Sequence, residues 1–339
     1  MSFRVRPVRS ADFDAVYEMA KLTGGGFTNL PPDRGALVDK IIRSEHAFAD
    51  DCTDPGDDLF MFVLENADSG QIRGTCQIFS QVGVENPFYS YRITTLTQTS
   101  KALGRTFRAE MLVLTTDFDG CSEVGGLFLH PAARAGGLGL LLARSRYLFI
   151  KLHRERFAGK VIAELRGVID EGGSSPFWDA IAGKFFGMDF READEFNATH
   201  GTQFIADLMP KTPIYTAMLP ESARAVMGVP HPTGRTAMRM LEREGFTHDG
   251  YIDIFDGGPT MSVATDQIRT IRESREEVLA EAGAGEGGQT MLVAAGRLER
   301  FACCYGKVRV GEDGAVALDP TAAGLLRIAP GDRFVAAGR

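Results

Sequence analysis

The sequence predicts an α+β fold of two related α/β units with a small β-rich appendage at the carboxyl end. Strand-like apolar segments alternate with amphipathic helices over most of the chain. Segments 177–190 and 237–255 share a helix, a glycine, a Phe and the start of a strand. A Gly-rich linker, 283–288, precedes strand-like residues. We therefore divide the chain into 1–200, 201–282 and 283–339.

The composition is that of a folded, mildly acidic protein. Hydrophobic residues make up 44% and charged residues 24% of the 339 residues, which is typical of globular domains. A net charge of −8 without a basic cluster disfavours nucleic acid as the main ligand. Because no apolar run would span a membrane and no secretory signal is evident, we expect a soluble, cytoplasmic chain without a membrane partner.

The spacing of cysteine and histidine residues disfavours metal chemistry. The five Cys form no C-x-x-C pair, and the adjacent Cys303 and Cys304 cannot by themselves hold a metal tetrahedrally. The six His show no H-x-x-x-H pattern. We expect free thiols, no metal site and no permanently bound cofactor.

Individual elements follow from periodicity and turn residues. We expect strands at 3–8, 59–65, 70–83, within 89–116, at 124–131 and at 160–170. We expect helices at 12–22, about 33–49, within 132–157, at 176–190 and at the start of 233–259.

The segment 127–149 carries the most chemical information. A strand ends at Pro131, a turn brings Arg134, Gly136, Gly137 and Gly139 together, and an apolar helix starts at once. Glycine amides added to the unpaired amides of a helix start form an anion site. The spacing R-x-x-G-x-G suits the diphosphate of an acyl-CoA, whereas a nucleoside triphosphatase is disfavoured because the lysine of a Walker loop is missing.

The order of strand, loop, helix and strand, with the opening VRPVRSADFDAV, is similar to the GNAT acyltransferase fold. Longer blocks resemble the arginine N-succinyltransferase family over about residues 3–275. The blocks are TGGGFTNLP (23–31), CSEVGGLFLHP (121–131), AELRGVIDEGGSSPFW (163–178), KFFGMDF (184–190), FIADLMPKTPIYT (204–216), HP (231–232), EGF (244–246) and YIDIFDGGPT (251–260).

The resemblance implies tandem GNAT-like units and transfer of succinyl from succinyl-CoA to the α-amine of L-arginine. It maps a succinyl-CoA contact onto Leu127 and a proton donor onto His231. We assign Leu127, with its neighbour Leu129, to CoA binding. Related chains occur as paired subunits that also accept ornithine, so arginine or ornithine preference and a homo- or hetero-oligomer with a related subunit stay open.

His231 lies between two prolines that fix its backbone, and Thr233 can cap the helix that follows. Histidine suits proton transfer because its pKa is close to neutral. The alternative is a turn residue at the surface. A backbone amide at Leu127 could polarise the thioester carbonyl while its side chain packs in the core.

Arginine as a substrate requires carboxylates for its guanidinium group. The candidates near strand ends are Glu164, Asp170 and Glu171, with Asp253 and Asp256 further along. Each could instead be a solvated or salt-bridged acid. Arg166 shares a strand face with Glu164, so it could pair with Glu164 or bind the succinyl carboxylate.

Because no Cys lies in an evident Cys–His pair, we expect the substrate amine to attack directly. The expected function is therefore arginine N-succinyltransferase. The alternatives are an ornithine-preferring succinyltransferase, an acetyl-CoA-dependent amine acetyltransferase and a CoA-binding partner subunit without activity.

Overall fold

The computed structural model describes residues 2–23, 29–170, 172–193, 196, 203–283 and 287–339. Its strands are Phe3–Pro7 (β1), Leu59–Asn66 (β2), Ile72–Phe79 (β3), Ser90–Ser100 (β4), Arg105–Thr115 (β5), Ser122–Leu129 (β6), Lys160–Glu164 (β7), Ile214–Tyr215 (β8), Tyr251–Asp253 (β9), Thr260–Ala264 (β10), Arg275–Ala282 (β11), Gln289–Ala295 (β12), Ala302–Val310 (β13), Val316–Leu318 (β14) and Arg333–Gly338 (β15).

Its α-helices are Phe13–Lys21 (α1), Arg34–Ala49 (α2), Leu138–Leu152 (α3), Pro176–Ala180 (α4), Ala182–Phe186 (α5), Gln203–Leu208 (α6), Glu221–Arg224 (α7), Arg235–Glu244 (α8), Arg269–Glu273 (α9) and Pro320–Leu326 (α10). Among the described residues, no helix is both long and apolar enough to cross a bilayer.

The main sheet has the strand order β10-β7-β6-β3-β2-β1-β13-β12-β15-β11-β14. Strands β1, β2, β3 and β6 are antiparallel neighbours, and α3 connects β6 to its parallel neighbour β7. This confirms the predicted α+β class, and the connections around α3 are those expected for a GNAT acyltransferase. A second sheet has the order β8-β5-β4-β9.

The strands after residue 200 extend sheets that earlier strands begin. β8 pairs with β5, β9 with β4 and β10 with β7. Among the described residues, the expected second α/β unit therefore has no sheet of its own, and the expectation of two like units is corrected in this respect. The predicted boundaries at 200 and 282 stay predictions, and strand pairing crosses both.

The strand predicted after the helix at 176–190 is wrong. The helix is interrupted at Ile181, and Gly187 ends its second part with a φ of +63°. Asp189 then accepts a hydrogen bond from the amide of Glu192, whose carboxylate accepts one from the amide of Asp189. This reciprocal capping starts a helical turn at Phe190 in place of a strand.

The carboxyl-terminal strands join the main sheet through β13, which pairs with β1. They also share its core, since the ring of Phe301 lies 5.1 Å from that of Phe149 on α3. The strand-like character predicted for this segment is confirmed for β12 to β15. Helix α10 was not predicted; it begins at a proline, and the Asp319 side chain caps it.

Candidate active site

Strands β6 and β7 diverge to form the central gap of the candidate site. Their parallel register holds at Ser122 with Val161 and at Glu123 with Ile162. Beyond these two pairs β6 continues to Leu129, paired with β3 on its other side. The carboxyl ends of both strands therefore open a cleft, which is where ligands bind in sheets of this kind.

A β-bulge lies in β6 at the middle of this cleft. The register with β3 shifts between Thr75 and Gln77, which places Gly126 and Leu127 opposite one residue. Gly126 has a φ of +57°, and a Cβ on it would lie 2.7 Å from the Gln77 side chain. The side chains of Leu127 and Leu129 pack against the core, so at Leu127 only the backbone is left to act on a ligand.

The predicted phosphate loop joins β6 to α3. Gly136 and Gly137 adopt left-handed conformations with φ of +64° and +81°, and Gly137 is the residue before the first turn of α3. In the part of the chain that the structure describes, no protein group accepts from the amides of Gly136, Gly137, Gly139 and Leu140. The side chain of Arg134 folds back towards the carbonyl oxygen of Leu129 at 3.4 Å. The loop thus exposes several amides at a helix start, the arrangement that binds phosphate.

His231 lies beside the end of β7. Its amide donates to the carbonyl oxygen of Arg166 at 2.8 Å, which ties the turn at 230–234 to the β7 side of the cleft. Its Nδ1 lies 2.7 Å from the hydroxyl of Thr233. Partial burial and the neighbouring Arg166 lower the pKa of His231, so the ring is neutral at pH 7. The backbone amide of Thr233 donates to the same Nδ1 at 3.3 Å, so Nδ1 is an acceptor and the neutral ring carries its proton on Nε2.

Four carboxyl groups form an acidic cluster between the two sheets. Its members are Glu123 on β6, Glu164 at the end of β7, Asp253 at the end of β9 and Asp256 in the following turn. Burial is the largest cause that raises the pKa of Asp253, whose carboxyl group interacts with that of Glu164. Burial, followed by the charges of the other three acids, raises the pKa of Glu164.

The two most buried members of the acidic cluster, Glu123 and Asp256, have pKa values that are raised in the same way. Burial is the largest cause that raises the pKa of Glu123 and of Asp256 to about 7. Lys40 opposes the shift at Glu123, and Arg166 opposes it at Asp256. The cluster thus holds more acid than its neighbouring cations neutralise, so a cationic ligand would stabilise its ionised form.

Asp256 also has a structural task. Its carboxylate accepts hydrogen bonds from the amides of Gly167 at 2.7 Å and of Gly258 at 2.8 Å. A Cβ on Gly258 would lie 2.0 Å from the carbonyl oxygen of Leu165, so the turn needs glycine to approach β7 this closely. The turn after β9 thereby holds the Asp256 carboxylate at the end of β7.

The other residues predicted to bind substrate lie in different surroundings. Asp170 is exposed and holds a local turn, accepting from the amide of Ser174 at 2.9 Å. Its hydrogen bonds within the described residues lie in this turn, and its substrate role stays a prediction. Glu171 lies outside the described residues. Arg166 lies close enough to His231 and Asp256 for its charge to lower the pKa of both.

Sequence reasoning missed the residues on the β6 side of the cluster. The side chain of Asn29 lies beside Glu123 and lowers its pKa. The backbone carbonyl oxygen of Asn29 accepts hydrogen bonds from Gln77 at 2.8 Å and from Lys40 at 3.3 Å. Burial lowers the pKa of Lys40 to about 8. The available signal was a glutamate inside a strand that is otherwise apolar and glycine-rich.

The cysteines are free thiols, as predicted. Burial raises the pKa of Cys76 and of Cys304 to about 12, and it also raises the pKa of Cys121 and Cys303. These thiols stay protonated and are poor nucleophiles. Among the described residues, no group of three or more side chains of the metal-binding types is placed to hold an ion.

Together, the diverging parallel strands, the bulge between them and the glycine loop before α3 define a GNAT-type acyl-CoA N-acyltransferase. Residues 3–270 match the family model of the arginine N-succinyltransferase beta subunit, and residues 275–338 match that of its carboxyl-terminal domain. The chain therefore belongs to the arginine N-succinyltransferase family, which confirms the resemblance drawn from the sequence.

Relatives support the same assignment. The chain is 45% identical to the arginine N-succinyltransferase of Salmonella schwarzengrund over 277 residues, 82% of this chain and 80% of that protein. Identity to the enzyme of the same name from Salmonella arizonae is 44% over the same shares. The solved arginine/ornithine succinyltransferase subunit AI from Pseudomonas aeruginosa superposes with a TM-score of 0.91 at 34% identity, covering 99% of this chain and 98% of that one.

Proposed function

We propose that this chain transfers the succinyl group of succinyl-CoA to the α-amine of L-arginine. The observation that carries the substrate assignment is the acidic cluster of Glu123, Glu164, Asp253 and Asp256 beside the cleft. A guanidinium group supplies a planar, permanent positive charge with several donors, which is what such a cluster lacks.

The acyl donor would bind along the cleft between β6 and β7. The amides of Gly136, Gly137 and Gly139 with the start of α3 take the diphosphate, and Arg134 adds a positive charge. The thioester would then lie beside the bulge, where the Leu127 amide polarises its carbonyl oxygen. Two cations, Arg166 and Lys40, border this region and can meet the second carboxylate of a succinyl donor.

The reaction would proceed without an acyl-enzyme. The neutral α-amine attacks the thioester carbon, the carbonyl oxygen becomes an oxyanion, and the carbon–sulfur bond then breaks. His231 donates its Nε2 proton to the departing thiolate, and Nε2 then accepts the proton that the amine nitrogen loses. The raised thiol pKa values support direct attack, since the described buried cysteines offer no thiolate.

A second substrate is suggested by the solved relative, which is a subunit of an arginine/ornithine succinyltransferase. Ornithine carries a compact ammonium in place of the guanidinium. The cluster would bind it with fewer bidentate contacts, so we propose arginine as the preferred acceptor. A cytoplasmic location and association with a related subunit stay predictions.

A thiol-release assay tests the function directly. Purified protein is mixed with succinyl-CoA or acetyl-CoA and with arginine or ornithine, and free CoA is followed. We expect the fastest release with succinyl-CoA and arginine. Equal or faster turnover of acetyl-CoA would remove the succinyl assignment, and faster turnover of ornithine would reverse the acceptor preference. CoA binding without turnover of any pair would identify a silent partner subunit.

A further inference from the structure

The carboxyl-terminal strands reach the phosphate loop with two side chains. Tyr305 lies on β13, and Arg339 follows β15. The Tyr305 hydroxyl donates to the carbonyl oxygen of Gly137 at 3.0 Å. An Arg339 guanidinium nitrogen donates to the carbonyl oxygen of Gly136 at 3.0 Å. Both glycine carbonyls of the loop are therefore held by residues far away in the sequence.

The two side chains also support each other. The guanidinium carbon of Arg339 lies 4.8 Å from the centre of the Tyr305 ring, a cation–π distance. Burial raises the pKa of Tyr305, so its hydroxyl keeps the proton that it donates. A Cβ on Gly137 would lie 3.0 Å from Arg339 and 3.4 Å from Tyr305, so the pair packs closely on the loop.

Holding a carbonyl oxygen fixes the direction of the amide in the same peptide group. In a trans peptide the C=O and N–H bonds point in opposite directions. The bond from Arg339 to the Gly136 oxygen therefore aims the Gly137 amide away from Arg339, to the other side of the loop. A hydrogen bond to the carbonyl also polarises that amide and makes it a better donor.

Charge gives the pair a second effect. Among the described residues, no aspartate or glutamate lies within 4.0 Å of the Arg339 guanidinium, which is exposed. A guanidinium has five N–H donors, and the contact to Gly136 is made by one nitrogen. In a chain with a net charge of −8, this places a positive charge on the opposite face of the loop from the proposed diphosphate, one peptide group away.

We propose that Tyr305 and Arg339 are positioning residues for the acyl-CoA phosphates, with the carboxyl-terminal strands forming the outer wall of the phosphate loop. The inference rests on the proposed function, because it takes the loop to bind CoA. It extends that function by giving the carboxyl-terminal segment a part in donor binding.

The test uses Tyr305→Phe, Arg339→Ala and Arg339→Lys in the full chain. Steady-state kinetics give the KM for succinyl-CoA, the KM for arginine and kcat, and calorimetry gives the Kd for CoA. We expect Tyr305→Phe and Arg339→Ala to raise the KM for succinyl-CoA and the Kd for CoA by about three- to tenfold, the value of one hydrogen bond. Arg339→Lys should recover part of the loss, since it restores the charge without the planar group.

A structural role alone would not give this pattern. kcat at saturating succinyl-CoA and the KM for arginine should stay within about twofold of wild type. Arg333→Ala is the matched control: Arg333 is an exposed arginine on β15 that lies 4.0 Å from Glu276 rather than at the loop. It should bind CoA like wild type.

Each outcome decides the inference. Unchanged CoA affinity in Arg339→Ala and Tyr305→Phe, with wild type binding CoA, overturns it and leaves the proposed function intact. An equal loss in Arg333→Ala also overturns it, because the effect would then be general charge. Absence of CoA binding by wild type overturns both the inference and the proposed function.

Discussion

At the scale of single residues, His231 is held for proton transfer by its backbone and by one hydroxyl. Its backbone amide donates a hydrogen bond to the carbonyl oxygen of Arg166, and the hydroxyl of Thr233 lies 2.7 Å from its Nδ1. These contacts orient the ring with Nε2 outward. A residue whose backbone is fixed independently of its side chain is well suited to a clean substitution.

We expect His231→Ala to lower kcat by roughly 10²- to 10⁴-fold, the range of one general acid–base group, with little change in CoA affinity. The hydrogen bond from the His231 amide to Arg166 and the two flanking prolines do not depend on the imidazole. The melting temperature should therefore change little. Steady-state kinetics, calorimetry with CoA and a melting curve measure these three quantities.

Thr233→Val is the matched control for this experiment, since it keeps the imidazole and removes the hydroxyl that orients it. It should lower kcat less than His231→Ala does. A near-normal kcat in a folded His231→Ala protein would return His231 to a turn residue.

The role of a residue in the candidate site could be predicted from the sequence where that residue lies at the end of a strand. Glu164 was a candidate for this reason and lies in the acidic cluster. Asp170 looked the same in sequence but bonds its own turn, because its nearest donor is the amide of Ser174. The choice between two such acids depends on contacts with Asp253, which is distant in the chain.

At the scale of elements, the loop before α3 combines local and distant determinants. The left-handed glycines and the helix start were predictable, since both follow from the local sequence. The helical turn at Phe190 was not, because Asp189 and Glu192 cap each other only once Gly187 has ended the previous helix.

We expect Gly137→Val to raise the Kd for CoA by at least about tenfold. A branched side chain is strained at a φ of +81°, and its Cβ would press on Arg339 at 3.0 Å. The loop must then move, and its amides no longer converge on the diphosphate. Calorimetry with CoA measures the change.

Gly104→Val is the control for backbone strain alone. Gly104 has a φ of +59° in the turn between β4 and β5 of the second sheet, with open space around it. It should lose stability but retain CoA affinity. Wild-type affinity in Gly137→Val would mean that the phosphates bind elsewhere.

At the scale of the whole molecule, the acidic cluster exists because two sheets meet. β6 and β7 of the main sheet supply Glu123 and Glu164, and β9 of the second sheet ends at Asp253. The sequence predicted the strands but not this meeting, which depends on pairings between residues far apart. The same holds for the carboxyl-terminal strands, because the periodicity of the sequence cannot indicate that they contact the phosphate loop.

A cluster assembled in this way should couple arginine binding to pH. Burial raises the pKa of Glu123 and Asp256 to about 7, so these acids are partly protonated near neutrality. A bound guanidinium favours their ionised form and lowers their pKa. Binding therefore releases protons, and the affinity for arginine should rise with pH across the interval around 7, by up to about tenfold per pH unit for each proton released.

Calorimetry with arginine in two buffers of different ionisation enthalpy measures both the affinity and the number of protons released. The arginine guanidinium group stays charged from pH 6 to 7.5, whereas the α-ammonium group can lose a proton on binding, so the part of the release that Glu164→Gln removes is the part that comes from the acidic cluster. Glu164→Gln should weaken arginine binding and reduce the release, because it removes one acid from the cluster, while the affinity for CoA stays unchanged. An arginine affinity independent of pH, or proton uptake on binding, would show that the substrate cation binds away from these carboxyl groups.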